Sequence, residues 1–156
     1  MTETESFFEN IRTGNNTKLE AQIKSMPNLI NSRDARGFTP LIYASYFDNQ
    51  IATALLLTFN IDIDAKDSTG NTALIGVSFK GNVKIAETLL ANGAHVNATN
   101  NVGTTALVFA SMYNQKDVVV LLLKHNADQT IRDHHGKTAL DYALEKGFSS
   151  IAELLQ

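Results

Sequence analysis

Asp133, His134 and His135 adjoin in the segment "DHHG", placing one carboxylate beside two imidazoles. These residue types could hold a transition metal or share acid–base work. Their spacing argues against both. Successive side chains in an extended loop point apart, so adjacent histidines do not converge on one ion. A zinc site needs further ligands; the chain has no cysteine and only four histidines, and His95 and His125 fall at unrelated positions. No G-x-S-x-G, H-E-x-x-H or phosphate-cradling glycine loop is present. The segment is read as a solvated loop, and the chain as a non-enzyme without metal or cofactor. Asn15 and Asn97 open glycosylation-type triplets, which carry no weight without a secretory route.

The totals narrow the class. With 156 residues, 44% hydrophobic and 19% charged, the chain is ordinary for a globular protein and too apolar for a disordered one. A formal charge of −3 argues against a nucleic-acid partner, which calls for a basic footprint. No run approaches the roughly 20 apolar residues that span a bilayer, so no membrane partner is expected. The opening "MTETESFFEN" has no positive region followed by an apolar stretch and does not read as a secretory signal. The cytoplasm is the expected location. Without cysteine, neither disulfides nor thiolate sites enter the fold.

What must position any functional residue is a repeat. Gly37, Gly70, Gly103 and Gly136 are spaced by 33 residues, and so are Thr39, Thr72, Thr105 and Thr138. Leu41, Leu74, Leu107 and Leu140 form a further column. Leu56, Leu89, Leu122 and Leu155 form another, and Ala52, Ile85, Val118 and Ile151 a third. Self-similarity at such a period signals a stack of like units. Each glycine follows a turn triplet (DAR, DST, NNV or DHH) that calls for positive φ. Each threonine is placed to cap a helix, worth about 1 kcal/mol over alanine. The two helices of a unit are expected to run to about 8–10 residues, too short to persist alone, so stability comes from neighbouring copies. Left-handed residues are expected between the helices at Gly14, Asp48, Gly81, Asn114 and Gly147, and after the second helix at Asn60, Gly93 and Asn126.

The segments "DARGFTPLIYAS", "DSTGNTALIGVS", "NNVGTTALVFAS" and "DHHGKTALDYAL" resemble the ankyrin repeat signature, a turn followed by T-P-L-H-x-A. "LLLTFNIDIDAK", "LLANGAHVNATN" and "LLLKHNADQTIR" resemble its second half, and "SFFENIRTGNNTKLEAQIKSMPNLINSR" looks like a degenerate leading copy. The resemblance covers nearly the whole chain. It implies an all-α, ankyrin-type helical repeat solenoid with hairpin-like loops, forming one domain over residues 1–156. Within it, 5–33 is expected to be a degenerate N-terminal capping repeat, 34–66, 67–99 and 100–132 full repeats, and 133–156 a C-terminal capping repeat. The signature's histidine is replaced by Ile42, Ile75, Val108 and Asp141, and its proline survives only at Pro40. Gln156 stands where Leu57, Leu90 and Leu123 stand earlier, which suits the outward face of a last unit and a complete array.

In the ankyrin family the hairpin tips and the end of the first helix line a concave face that grips protein partners. The resemblance therefore implies reversible protein recognition. The matching positions are Arg36, Thr69, Val102 and His135 at the tips, with Phe38 and Asn71 just past the glycines. At the end of the first helix stand Tyr46, Phe47, Phe79, Lys80, Met112 and Tyr113. With copies stacked about 10 Å apart, Tyr46, Phe79 and Met112 would form a continuous row flanked by Phe47 and Tyr113. Aromatic residues and methionine are enriched at interface centres, and the row is read as an exposed docking surface. The alternative is that its rings fold down between first helices as core. A basic row, Arg33, Lys66 and Arg132, lies beside Asp34, Asp67 and Asp133; it is read as solvated charge, with an acidic partner as the alternative. The expected function is a non-enzymatic protein-binding module, and the alternative a dedicated inhibitor or immunity-type protein masking one enzyme or toxin. A monomer is expected, with self-association through the apolar row as the other route.

Overall fold

The computed structural model describes residues 1–156. The chain forms ten α-helices and one 3-10 turn, with no strand beyond an isolated bridge between Thr99 and Thr105. Helices α1 (Glu3–Thr13) and α2 (Asn16–Ser25) make a leading hairpin, followed by the 3-10 turn Pro27–Asn31. Four pairs follow: α3 (Pro40–Tyr46) with α4 (Gln50–Leu56), α5 (Ala73–Lys80) with α6 (Val83–Ala91), α7 (Ala106–Met112) with α8 (Lys116–Lys124), and α9 (Ala139–Lys146) with α10 (Ser149–Leu155). The odd-numbered helices stack in one layer and the even-numbered in a second, giving an all-helical solenoid. No helix is long and apolar enough to cross a membrane.

The repeated residues account for these elements. Thr39, Thr72, Thr105 and Thr138 each accept the backbone N–H three residues on and so start α3, α5, α7 and α9. The eight repeat helices are only seven to nine residues long, shorter than expected from the spacing. Helices of that length do not persist alone. Burial holds them: Ala52, Leu56, Ile85, Leu89, Val118, Leu122 and Ile151 are completely removed from water within one continuous core. Leu140, at the open end of the stack, stays half-buried. At the other end Phe7, Phe8 and Ile11 of α1 close the core.

Between paired helices the chain turns through left-handed residues at Gly14, Asp48, Gly81, Asn114 and Gly147. After the second helix Gly93 (φ 89°) and Asn126 (φ 62°) do the same, but Asn60 does not. The Ala94 N–H donates to the Leu89 carbonyl and the Ala127 N–H to the Leu122 carbonyl, whereas the Ile61 N–H donates to the Phe59 carbonyl. Where the other copies carry alanine, Ile61 lays a branched, half-buried side chain against the core.

The odd-numbered helices pack more closely on one another than the even-numbered ones do. The first helices and the hairpin tips that feed them lie on one side of the stack, the inner face, where their residues line a common hollow.

Candidate functional site

Asp34, Asp67, Asn100 and Asp133 open the four tips. In each, the side-chain Oδ1 accepts the backbone N–H groups two and four residues on. Adjacent tips are then joined by backbone bonds: Ser68 N–H to Arg36 O at 3.3 Å, Asn101 N–H to Thr69 O at 3.1 Å, and His134 N–H to Val102 O at 3.0 Å. The approach is close. A Cβ on Gly70 would sit 2.6 Å from the Asn101 nitrogen, so glycine is required there both for its φ of 83° and for space.

Arg36, Thr69, Val102 and His135 are all exposed at these tips, but they differ in freedom. The Thr69 hydroxyl donates to Asp67 Oδ1 at 2.7 Å. Arg36 pairs with Asp34 at 3.0 Å and its guanidinium stands 4.1 Å above the Phe38 ring, so it caps an aromatic group of its own chain. Val102 is bare, 51% exposed. In the last tip the His134 ring lies against Gly103, while Asp133 turns inward and its Oδ2 accepts the Tyr142 hydroxyl. Burial pushes the Asp133 carboxyl up, but the Tyr142 hydroxyl and the N–H groups of Lys137 and His135 outweigh it and hold the carboxyl below its ordinary value. Burial, then the Asp133 hydrogen bond, push the Tyr142 phenol up to about 12. The pair is a structural lock. No three His, Cys, Asp or Glu side chains converge to hold a metal ion.

The rings at the ends of the first helices do not form the continuous row expected of Tyr46, Phe79 and Met112. Each column meets the flanking column of the next repeat: Lys80 Nζ lies 4.6 Å over Tyr46, and Tyr113 meets Phe79 edge-on at 4.5 Å. Met112 and Phe47 are half-buried against the core, Phe47 on Tyr43 at 4.6 Å. Tyr46 is also half-buried, whereas Phe79 and Tyr113 are 39% and 47% exposed. Lys80 turns back to the preceding repeat, donating to the Tyr46 carbonyl and pairing with Asp48 at 3.5 Å.

The basic row acts similarly. Arg33 donates to the Gly37 and Lys66 carbonyls, each at 2.7 Å, and Lys66 Nζ to the Thr99 carbonyl at 2.7 Å. Arg132 reaches the Gly136 carbonyl at 2.8 Å within its own tip. All three are exposed, as expected of solvated charge, and their head groups also donate to backbone carbonyls, two of them across repeats.

Between the Phe38–Tyr46 pair and the Phe79–Phe109–Tyr113 cluster, the inner face opens into a cavity of about 260 Å³. Ile42, Ala73, Gly76 and Val77 line it from the helices, and Asp67, Asn71 and Thr72 complete it from the tip and cap of α5. Its cause is Gly76. The column Tyr43, Gly76, Phe109, Tyr142 carries a ring in the other three of the four repeats that have a hairpin tip. A Cβ at Gly76 would meet nothing within 4 Å, and the backbone there does not require glycine. Sequence reasoning passed over Gly76 and Phe109, although the signal existed: one gap in a 33-residue column of rings, filled by the residue that helix interiors disfavour by about 1 kcal/mol.

A family model for ankyrin repeats (three copies) matches residues 11–100 and, overlapping them, 77–156. No curated protein matches the chain.

Proposed function

The chain belongs to the ankyrin repeat family, whose repeats generally serve as protein–protein interaction modules, and from that premise we propose that it is a non-enzymatic receptor for a protein partner. Recognition is reversible and runs along the inner face. Phe79 and Tyr113, with Tyr46 behind them, are the anchors; Arg36, Thr69, Val102 and His135 surround them and set specificity.

The observation that carries this reading is the exposed Phe79–Tyr113 pair standing at an aromatic-lined cavity. Large rings left in water beside a hollow lose hydration when a partner covers them, and such residues dominate interface energetics. The tips around them are already ordered by their side-chain and backbone bonds, so docking immobilises little and more of the contact energy appears as affinity.

A quantitative pull-down from extract of the source cells tests it, comparing wild type, Phe79→Ala/Tyr113→Ala, and Ile51→Ala as a control on α4, where Ile51 is 66% exposed. The expected result is a partner retained by wild type and by the control but depleted at least about ten-fold by the double variant. Identical capture by all three would overturn the reading.

A further inference from the structure

We propose that the cavity at Gly76 receives the phenol of a tyrosine carried by the protein partner, with the phenolic hydroxyl donated to Asp67 Oδ2. This rests on the inner face being the docking surface and adds the chemistry of the group that docks there.

The chain holds its own template for the contact. In the last repeat the Tyr142 ring occupies the equivalent position, and its hydroxyl donates to Asp133 Oδ2. The 33-residue register places Asp67 on Asp133 and Gly76 on Tyr142. Both aspartates hold their tips alike, each Oδ1 accepting the N–H groups two and four residues on. The setting that brings a phenol to Oδ2 in one repeat is thus present in the other without the phenol. All of Asp67's bonds fall on Oδ1. Elsewhere the outer atom is engaged: Asp34 Oδ2 by Arg36, and Asn100 Nδ2 by Asn71 Oδ1.

Size and walls agree with that occupant. A dry apolar cavity of roughly 150 Å³ accepts benzene, and drug-sized ligands take upward of roughly 300 Å³; a hollow of about 260 Å³ suits a single substituted ring. Phe79, Phe109 and Tyr113 stand 4.5 to 6.1 Å apart, two of the pairs edge-on and the third tilted. These are arrangements that favour one more ring among them.

An aromatic hollow with a carboxyl group also suits a cation. Charge complementarity decides against one here. Arg36 already lies 4.1 Å over Phe38 and 5.7 Å over Tyr46, and Lys80 4.6 Å over Tyr46. Two wall rings therefore carry the chain's own cations, which oppose a third. A phenol supplies the donor that Asp67 lacks and brings no charge.

The test is an NMR titration of the isotope-labelled full chain with p-cresol, toluene and tetramethylammonium. The expected result is that p-cresol shifts the amide signals of Gly76, Phe79 and Tyr113 and binds about ten-fold tighter than toluene, as a hydrogen bond to a charged acceptor requires. Asp67→Asn should erase that preference. It keeps the tip, because Asn100 holds its own with the same two bonds. Gly76→Tyr places the ring from within and should abolish p-cresol binding while raising Tm. The proposal is overturned if toluene matches p-cresol, if tetramethylammonium is preferred, if no probe moves these signals, or if Gly76→Tyr still binds p-cresol. Should that happen while Phe79→Ala/Tyr113→Ala still loses its partner, the docking face stands and the tyrosine pocket alone falls.

Discussion

Replacing Tyr142 by phenylalanine removes one hydroxyl and leaves the ring. The hydroxyl donates to Asp133 Oδ2, and both residues are buried, 8% and 6% exposed. A hydrogen bond to a charged group is worth about 1.5–3 kcal/mol. Asp133 keeps the His135 and Lys137 N–H donors on Oδ1, but Oδ2 loses its one partner, so the loss falls within that range, about 1.5–3 kcal/mol near neutral pH. The loss should depend on pH in a defined way. Asp133 is held below its ordinary value, so its contribution is complete above the unfolded value of about 4 and fades as pH falls through the folded one. Burial and the Asp133 hydrogen bond raise Tyr142 to about 12, so its contribution is complete below about 10 and fades as pH climbs toward the folded value. The stability difference between wild type and Tyr142→Phe should therefore form a plateau from about pH 5 to pH 9 and shrink at both ends. Urea unfolding followed by circular dichroism across this range measures it, with equal m-values showing that the same cooperative unit unfolds. A difference that is flat with pH, or below about 0.5 kcal/mol at pH 7, would refute the coupling.

Three further outcomes follow from the same geometry. Gly70→Ala should lower Tm well beyond Gly136→Ala, because both disturb a left-handed turn but only the former drives a Cβ onto a neighbouring backbone nitrogen; equal losses in thermal denaturation would show that crowding between tips is unimportant. Thr72→Ala removes a completely buried cap of α5 and should cost about 1–2 kcal/mol in urea midpoint analysis. Lys66→Met removes the bond to the Thr99 carbonyl and should cost about 0.5–1 kcal/mol of stability without changing partner affinity at low salt. An affinity loss that grows as salt is lowered would restore an acidic partner to consideration.

The parts of the fold that were legible in the sequence depend on short-range rules. The caps Thr39, Thr72, Thr105 and Thr138, the positive-φ glycines and the apolar columns each act within one unit or its immediate neighbour, and periodicity repeats the message. Asn60 shows the limit: its type permits a left-handed turn, but the chain takes another route there and the Ile61 N–H donates to the Phe59 carbonyl instead. The fates of Arg33, Lys66 and Lys80 were hidden for a related reason. A basic side chain reads only as exposed charge until a carbonyl of a neighbouring repeat is known to lie within its reach.

The candidate site divides in the same way. By itself the sequence determined which residues occupy the tips and helix ends, because a 33-residue register fixes position along each unit. Only the tertiary structure decided which of them meet. Adjacent helices set Phe79 against Tyr113 rather than leaving it in line with Met112, and Phe47 and Met112 turned to the core. Stacking three repeats around one missing side chain at Gly76 made a cavity that no single unit contains. A column shows an absent ring as one letter; the empty volume exists only once neighbouring helices are held in place around it.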